Sequence, residues 1–103
     1  MPRFRKKPTE VVIEAFQMTK ERRQDNSEWP EWLHRAWNLE HPQEGAVWCK
    51  DYPNSDGTDQ LCIGTLEGVY IVSWGDFIIQ GIKDEIYACR EDIFLETYEK
   101  VLD

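Results

Sequence analysis

Residues 61–98 read LCIGTLEGVYIVSWGDFIIQGIKDEIYACREDIFLETY, and they hold most of the chain's β-branched and aromatic side chains together with its clearest turn signals. Two apolar runs, residues 61–66 and 69–74, are separated only by Glu67-Gly68. Glycine reaches positive φ without a Cβ clash, so this pair signals a hairpin, either as a two-residue turn or as a type I turn with a glycine bulge. Gly75-Asp76 interrupts the second run, and Phe77-Ile78-Ile79-Gln80 resumes it. Gly81 marks a bulge or kink, Lys83-Asp84 a second turn, and Ile86-Tyr87-Ala88-Cys89 the returning strand. Four short strands in succession predict a meander. Val69 and Ile71 face one way while Tyr70, Val72 and Trp74 face the other, so the sheet carries apolar side chains on both sides and must be covered or curled. The fold class expected is α+β: a small antiparallel meander curled into a half-open barrel, with one amphipathic helix laid over it.

The remaining chain fits one domain of 103 residues. Hydrophobic residues at 41% and aromatics at 13% exclude a disordered chain. The net charge of −8 is unevenly placed: residues 1–23 carry seven Lys/Arg against three Asp/Glu, the rest five against seventeen. An acidic body argues against direct binding to nucleic-acid phosphates, which needs clustered cations. Cys49, Cys62 and Cys89 are odd in number and widely spaced. There is no secretory segment or apolar run long enough to cross a bilayer, so the reading is a cytoplasmic protein with reduced thiols and no membrane partner.

In chain order, residues 1–8 form a basic lead-in ended by Pro8, and residues 11–16 a first strand. Residues 20–26 are wholly polar and read as a loop. Trp29, Trp32, Leu33, Ala36 and Trp37 fall at i, i+3, i+4, i+7 and i+8, an amphipathic helix over residues 27–40. Pro30 is tolerated only in its first turn, and Asn26 or Ser27 is the cap. The tryptophan stripe packs on the sheet or, on a second reading, offers Trp29 and Trp32 to a partner. Residues 45–50 suit another short strand, and residues 51–59 a flexible, turn-rich loop. Asp92 can cap a final helical turn, after which residues 98–102 suit a short C-terminal helix or a closing strand equally.

No catalytic signature is present. His34 and His41 lie at no metal-binding spacing, and no phosphate-cradling glycine loop or nucleophile elbow occurs. Neither metal nor cofactor is expected. One polar constellation stands out, Gly75-Asp76 with Glu85 and Asp92. Asp76 either fixes its turn through an Asx-type hydrogen bond or presents a carboxylate at the rim of an aromatic pocket lined by Trp74, Phe77 and Tyr87. An enzyme would need Asp76, Glu85 and Cys89 to converge in one cleft.

The opening FRKKPTEVVIEAFQ and the later TLEGVYIVSWGDFIIQGIKDEIYACREDIFLETYEKV, in that order, resemble a family of small uncharacterised phage and prophage proteins. The matching positions are residues 4–8, 12–15, 75–79, 85–89, 92–94 and 97–99, about half the chain. The helix and the 51–59 loop fall outside it. Trp74 stands where that family has proline before Gly-Asp, and Asp84 where it has glycine. The resemblance implies a phage-encoded protein acting in the cytoplasm of the infected bacterium, and it implies no chemistry. The function expected is a non-enzymatic binding protein that engages, and can inhibit, a host or phage protein, with homodimerisation open. The alternative is a small-ligand binder using Trp74, Asp76, Phe77, Glu85 and Tyr87.

Overall fold

A computed structural model of the chain describes residues 3–6, 12–83 and 85–101. The architecture is α+β and antiparallel throughout its sheets. Strands β1 (Arg3–Lys6) and β2 (Val12–Gln17) lead to helix α1 (Lys20–Gln24), a 3-10 turn (Asn26–Glu28) and helix α2 (Glu31–Trp37). Strands β3 (Val47–Cys49), β4 (Leu61–Thr65) and β5 (Gly68–Ile71) follow, then β6 (Phe77–Gln80) and β7 (Ile86–Cys89). Helix α3 (Glu91–Thr97) and strand β8 (Tyr98–Lys100) complete the chain.

The strands of the 61–98 stretch form where the sequence places them, but they do not make one meander. Among the described residues they divide between a five-stranded sheet, ordered β7-β6-β2-β1-β8, and a three-stranded sheet, ordered β3-β4-β5. The division falls at Gly75-Asp76, where the chain leaves β5 and joins β2 instead: Gly75 N–H donates to Met18 O and Met18 N–H to Asp76 O, each at 2.8 Å. The ladder then continues as Gln17↔Phe77 through Glu14↔Gln80. Barrel closure is not found, and the two sheets meet where β4 lies beside β7.

The two-sided apolar character of the sheet is met by covering both faces. On one face Phe16, Ile78 and Ile86 pack with Trp32, Leu33 and Ala36 of α2 and with Val47, Leu61 and Ile63 of the smaller sheet. On the other, Ile13, Ala15, Phe77 and Ile79 pack under Phe94 of α3. Phe94 stacks on Phe77 at 3.9 Å and on Tyr98 at 4.8 Å. Adjacent residues alternate between the clusters because successive strand side chains point to opposite faces.

Four local expectations are corrected. The basic lead-in contains a strand: β1 pairs with both β2 and β8, joining the two ends of the chain. Residues 20–24 are helical, because Thr19 Oγ1 accepts Arg22 N–H at 3.2 Å and caps the turn. The helix over 27–40 is shorter and broken. Pro30 forces extended geometry on Trp29 before it and itself takes the N-cap position, leaving a separate 3-10 turn capped by Asp25. Asp92 lies inside α3, whose N-cap is Arg90; that helix ends at Thr97, and of the two alternatives for residues 98–102 it is the strand that forms, over Tyr98–Lys100. The 51–59 loop is tied down by Arg23, which donates from Nε to Asp59 O at 3.0 Å and from Nη2 to Ser55 Oγ at 3.1 Å. The strand at residues 45–50 forms as β3. The Lys83-Asp84 turn rests partly on Asp84, which lies outside the described residues, as do Pro8, Val11 and Leu102.

Candidate functional site

Asp76 is 4% exposed and has two partners. Its Oδ2 accepts Ser73 N–H at 2.9 Å and the Tyr70 hydroxyl at 3.3 Å, while Asp76 N–H donates to Ser73 O at 3.0 Å. This is the turn-fixing role, extended by a link from β5 to the larger sheet. Trp74 is half-buried against the cluster beneath α2, whereas Phe77 and Tyr87 belong to the cluster beneath α3, across the sheet. The expected aromatic pocket of Trp74, Phe77, Tyr87 and Asp76 is therefore not assembled. Trp74 lies in the turn where the chain changes sheets, and Phe77 begins a strand of the larger one, so they end on opposite sides. Trp29 and Trp32 are buried, with their indole N–H groups donating to Arg22 O at 2.6 Å and Glu14 Oε1 at 2.9 Å, and neither presents a free face.

The catalytic arrangement that would need Asp76, Glu85 and Cys89 is likewise not assembled. Cys89 lies opposite Phe77, next to Asp76, but Glu85 sits at the far end of the β6–β7 hairpin. Burial, followed by the charges of Asp76 and Asp92, pushes the Cys89 thiol up, which disfavours the thiolate a nucleophile needs. Burial also raises the phenols of Tyr70, beside Asp76, and of Tyr87, which is hydrogen-bonded to Tyr98.

Two pairs of the sequence-named residues do meet at open grooves, Trp74 and Asp76 at one beside Arg90 and Asp92, and Glu85 and Tyr87 at another. Glu85 and Tyr87 line the second with Ile86 and Lys83 on one side, and with Thr65, Leu66 and Glu67 of the β4–β5 turn on the other. Glu44 completes a volume of about 540 Å³. Glu85 is positioned by accepting Lys83 N–H at 2.9 Å. Three carboxylates against one ammonium make the rim acidic.

The groove runs into a surface that sequence reasoning missed. Every residue of β5 is exposed, and the turn before it carries Leu66 at 85% exposure. Val69 and Ile71, expected under cover, are 55% and 45% exposed. The turn residues are Leu66 and Glu67, because Thr65 pairs with Gly68, whose φ of +128° glycine alone accepts readily. The available signal was Leu66 itself, since an apolar residue at a tight turn cannot be buried by its own hairpin. On the outer face of the same sheet Trp48 stacks on His41 at 5.1 Å, and His41 meets Tyr52 edge-on at 4.8 Å.

Among the described residues no cluster of three or more His, Cys, Asp or Glu is arranged for a metal, and no helix is long and apolar enough to cross a membrane. Comparison with protein-family models, with curated proteins and with solved structures finds no match to this chain.

Proposed function

We propose that the protein is a non-enzymatic binding module that engages another protein through β5 and the β4–β5 turn. The observation that carries this reading is the exposed apolar side chains of Leu66 in the β4–β5 turn and of Val69 and Ile71 on β5, a strand at the edge of its sheet among the described residues. Exposed apolar edge strands are sites of association unless they are blunted, and here neither proline nor lysine interrupts the edge. In the setting that the phage-protein resemblance implies, the partner is a host or phage protein in the bacterial cytoplasm, and occupancy of its docking surface would inhibit it. A weaker second reading places a small molecule in the acidic groove, whose volume lies in the range of ligand sites. Its three carboxylates disfavour a nucleotide or other anion.

The test compares tagged wild-type protein with the double variant Val69→Lys/Ile71→Lys and with Leu95→Lys, which places the same charge on exposed α3. Each is incubated in bacterial lysate and analysed by native mass spectrometry. A partner of fixed stoichiometry that survives Leu95→Lys and disappears with the β5 variant is the expected result. Equal recovery by all three proteins, or none by wild type, sinks the reading.

A further inference from the structure

The backbone of β5 specifies how a partner would attach. Val72 N–H donates to Leu61 O at 2.8 Å, and the register pairs Ile63 with Tyr70 and Thr65 with Gly68. In an antiparallel ladder, hydrogen-bonded pairs alternate with non-bonded ones. Gly68, Tyr70 and Val72 therefore turn their N–H and C=O groups toward β4, while Val69 and Ile71 turn theirs away from it. On the opposite side of β4 the alternation is consistent: Gly64 N–H donates to Ala46 O at 2.9 Å and Lys50 N–H to Gln60 O at 2.8 Å. Among the described residues no strand pairs with this side of β5, so Val69 and Ile71 present two donors and two acceptors along it, and the same residues carry the exposed apolar side chains.

We infer that β5 receives an extended, cationic segment of a partner protein as an added antiparallel strand. This rests on the binding reading above and names the partner's chemistry. Directly opposite residues share a sheet face, so the two incoming residues that bond Val69 and Ile71 lay their side chains beside those of Val69 and Ile71 and must be apolar. An antiparallel strand runs toward the β4–β5 turn, so its C-terminal end arrives beside Glu67 and the groove rimmed by Glu44 and Glu85. That end must be basic. A second copy of this chain is the disfavoured occupant, because each copy carries a net charge of −8 and brings Glu67 to the same edge.

The probe is the acetylated, amidated heptapeptide Thr-Val-Thr-Val-Ser-Lys-Lys, titrated into the full chain and followed by amide NMR and hydrogen exchange. Two controls replace both lysines by glutamate or N-methylate both valines. In the free protein the Val69 and Ile71 amides exchange fast. Saturation with the lysine peptide slows both by about tenfold or more, and binding weakens with added salt. The glutamate peptide binds roughly tenfold more weakly, and the N-methylated one does not protect either amide. Equal binding of the lysine and glutamate peptides overturns the inference, as does protection centred elsewhere. So does protection of Val69 and Ile71 without peptide, accompanied by a dimer mass, which would mean that the edge pairs with itself. The two readings fail separately. A partner lost with Val69→Lys/Ile71→Lys that leaves these amides unprotected would sink strand addition and leave the binding reading standing; loss of both would sink both.

Discussion

Asp76 acts through its hydrogen bonds, because its side chain is buried and aimed at Ser73 N–H and the Tyr70 hydroxyl. Removing the acceptor leaves the Ser73 N–H without its partner in a turn that is only partly buried, a cost of about 1–2 kcal/mol. Asp76→Ala should lower the urea midpoint accordingly. Asp76→Asn, which retains an acceptor oxygen, should cost less, and Tyr70→Phe, which removes only the longer bond, about 1 kcal/mol or less. An Asp76→Ala protein as stable as wild type would remove the turn role. That role was legible from Gly-Asp placed between two apolar runs, since aspartate bonding nearby backbone is a local property. The competing pocket role was not decidable from sequence, because it depended on which face each of Trp74, Phe77 and Tyr87 would take after the chain changed sheets.

At the scale of elements, β4 is closely confined at Gly64, because the 42–43 segment is pressed against it. A Cβ at Gly64 would lie 2.6 Å from Pro42 O and would collide still harder with Gln43 O, both backbone atoms. Gly64 is also bonded to the residues that follow that segment, its carbonyl accepting Gly45 N–H and its N–H donating to Ala46 O, each at 2.9 Å. Gly64→Ala should therefore destabilise by about 2–3 kcal/mol. Gly81→Ala is the internal control. There the obstacle is the Glu85 side chain, which can swing away, and the expected loss is about 1 kcal/mol or less. Matched denaturation curves with unchanged slope check both, and equal losses would refute the distinction. Strands such as Phe77–Gln80 and Ile86–Cys89 were readable because β-branched runs bounded by turn residues are local signals. Their assignment to two sheets was not, because the join runs through Met18, almost sixty residues away from Asp76 in sequence. The β1 strand was hidden by its own charge, RFRK, and is specified by partners at both ends of the chain. The edge position of β5 was hidden for the opposite reason: its residues have core composition, and only the tertiary arrangement leaves them uncovered.

For the molecule as a whole, ionisable groups partly withdrawn from water in both sheets set an alkaline limit on stability. Cys62 and Tyr70 of the smaller sheet and Tyr87 and Cys89 of the larger one are all pushed up, in each case chiefly by burial. Each is an acid whose neutral form the fold prefers. In the folded state these groups hold their protons at pH values where the unfolded chain has begun to release them, so unfolding becomes more favourable as pH rises. Their contribution is fully present below the ordinary values of 9.0 for the thiols and 10.0 for the phenols, and it is lost as pH climbs through the raised folded values. Under reducing conditions the urea midpoint should hold to about pH 9 and fall steadily toward pH 11. Growing self-repulsion in a chain already at −8 would bend the curve the same way, but added salt screens that effect and reaches buried groups far less. Tyr87→Phe separates the two: its curve should flatten above about pH 10 relative to wild type, at high salt as well as low. A decline that salt abolishes and Tyr87→Phe leaves unchanged would place the alkaline limit in surface charge, not in these phenols and thiols.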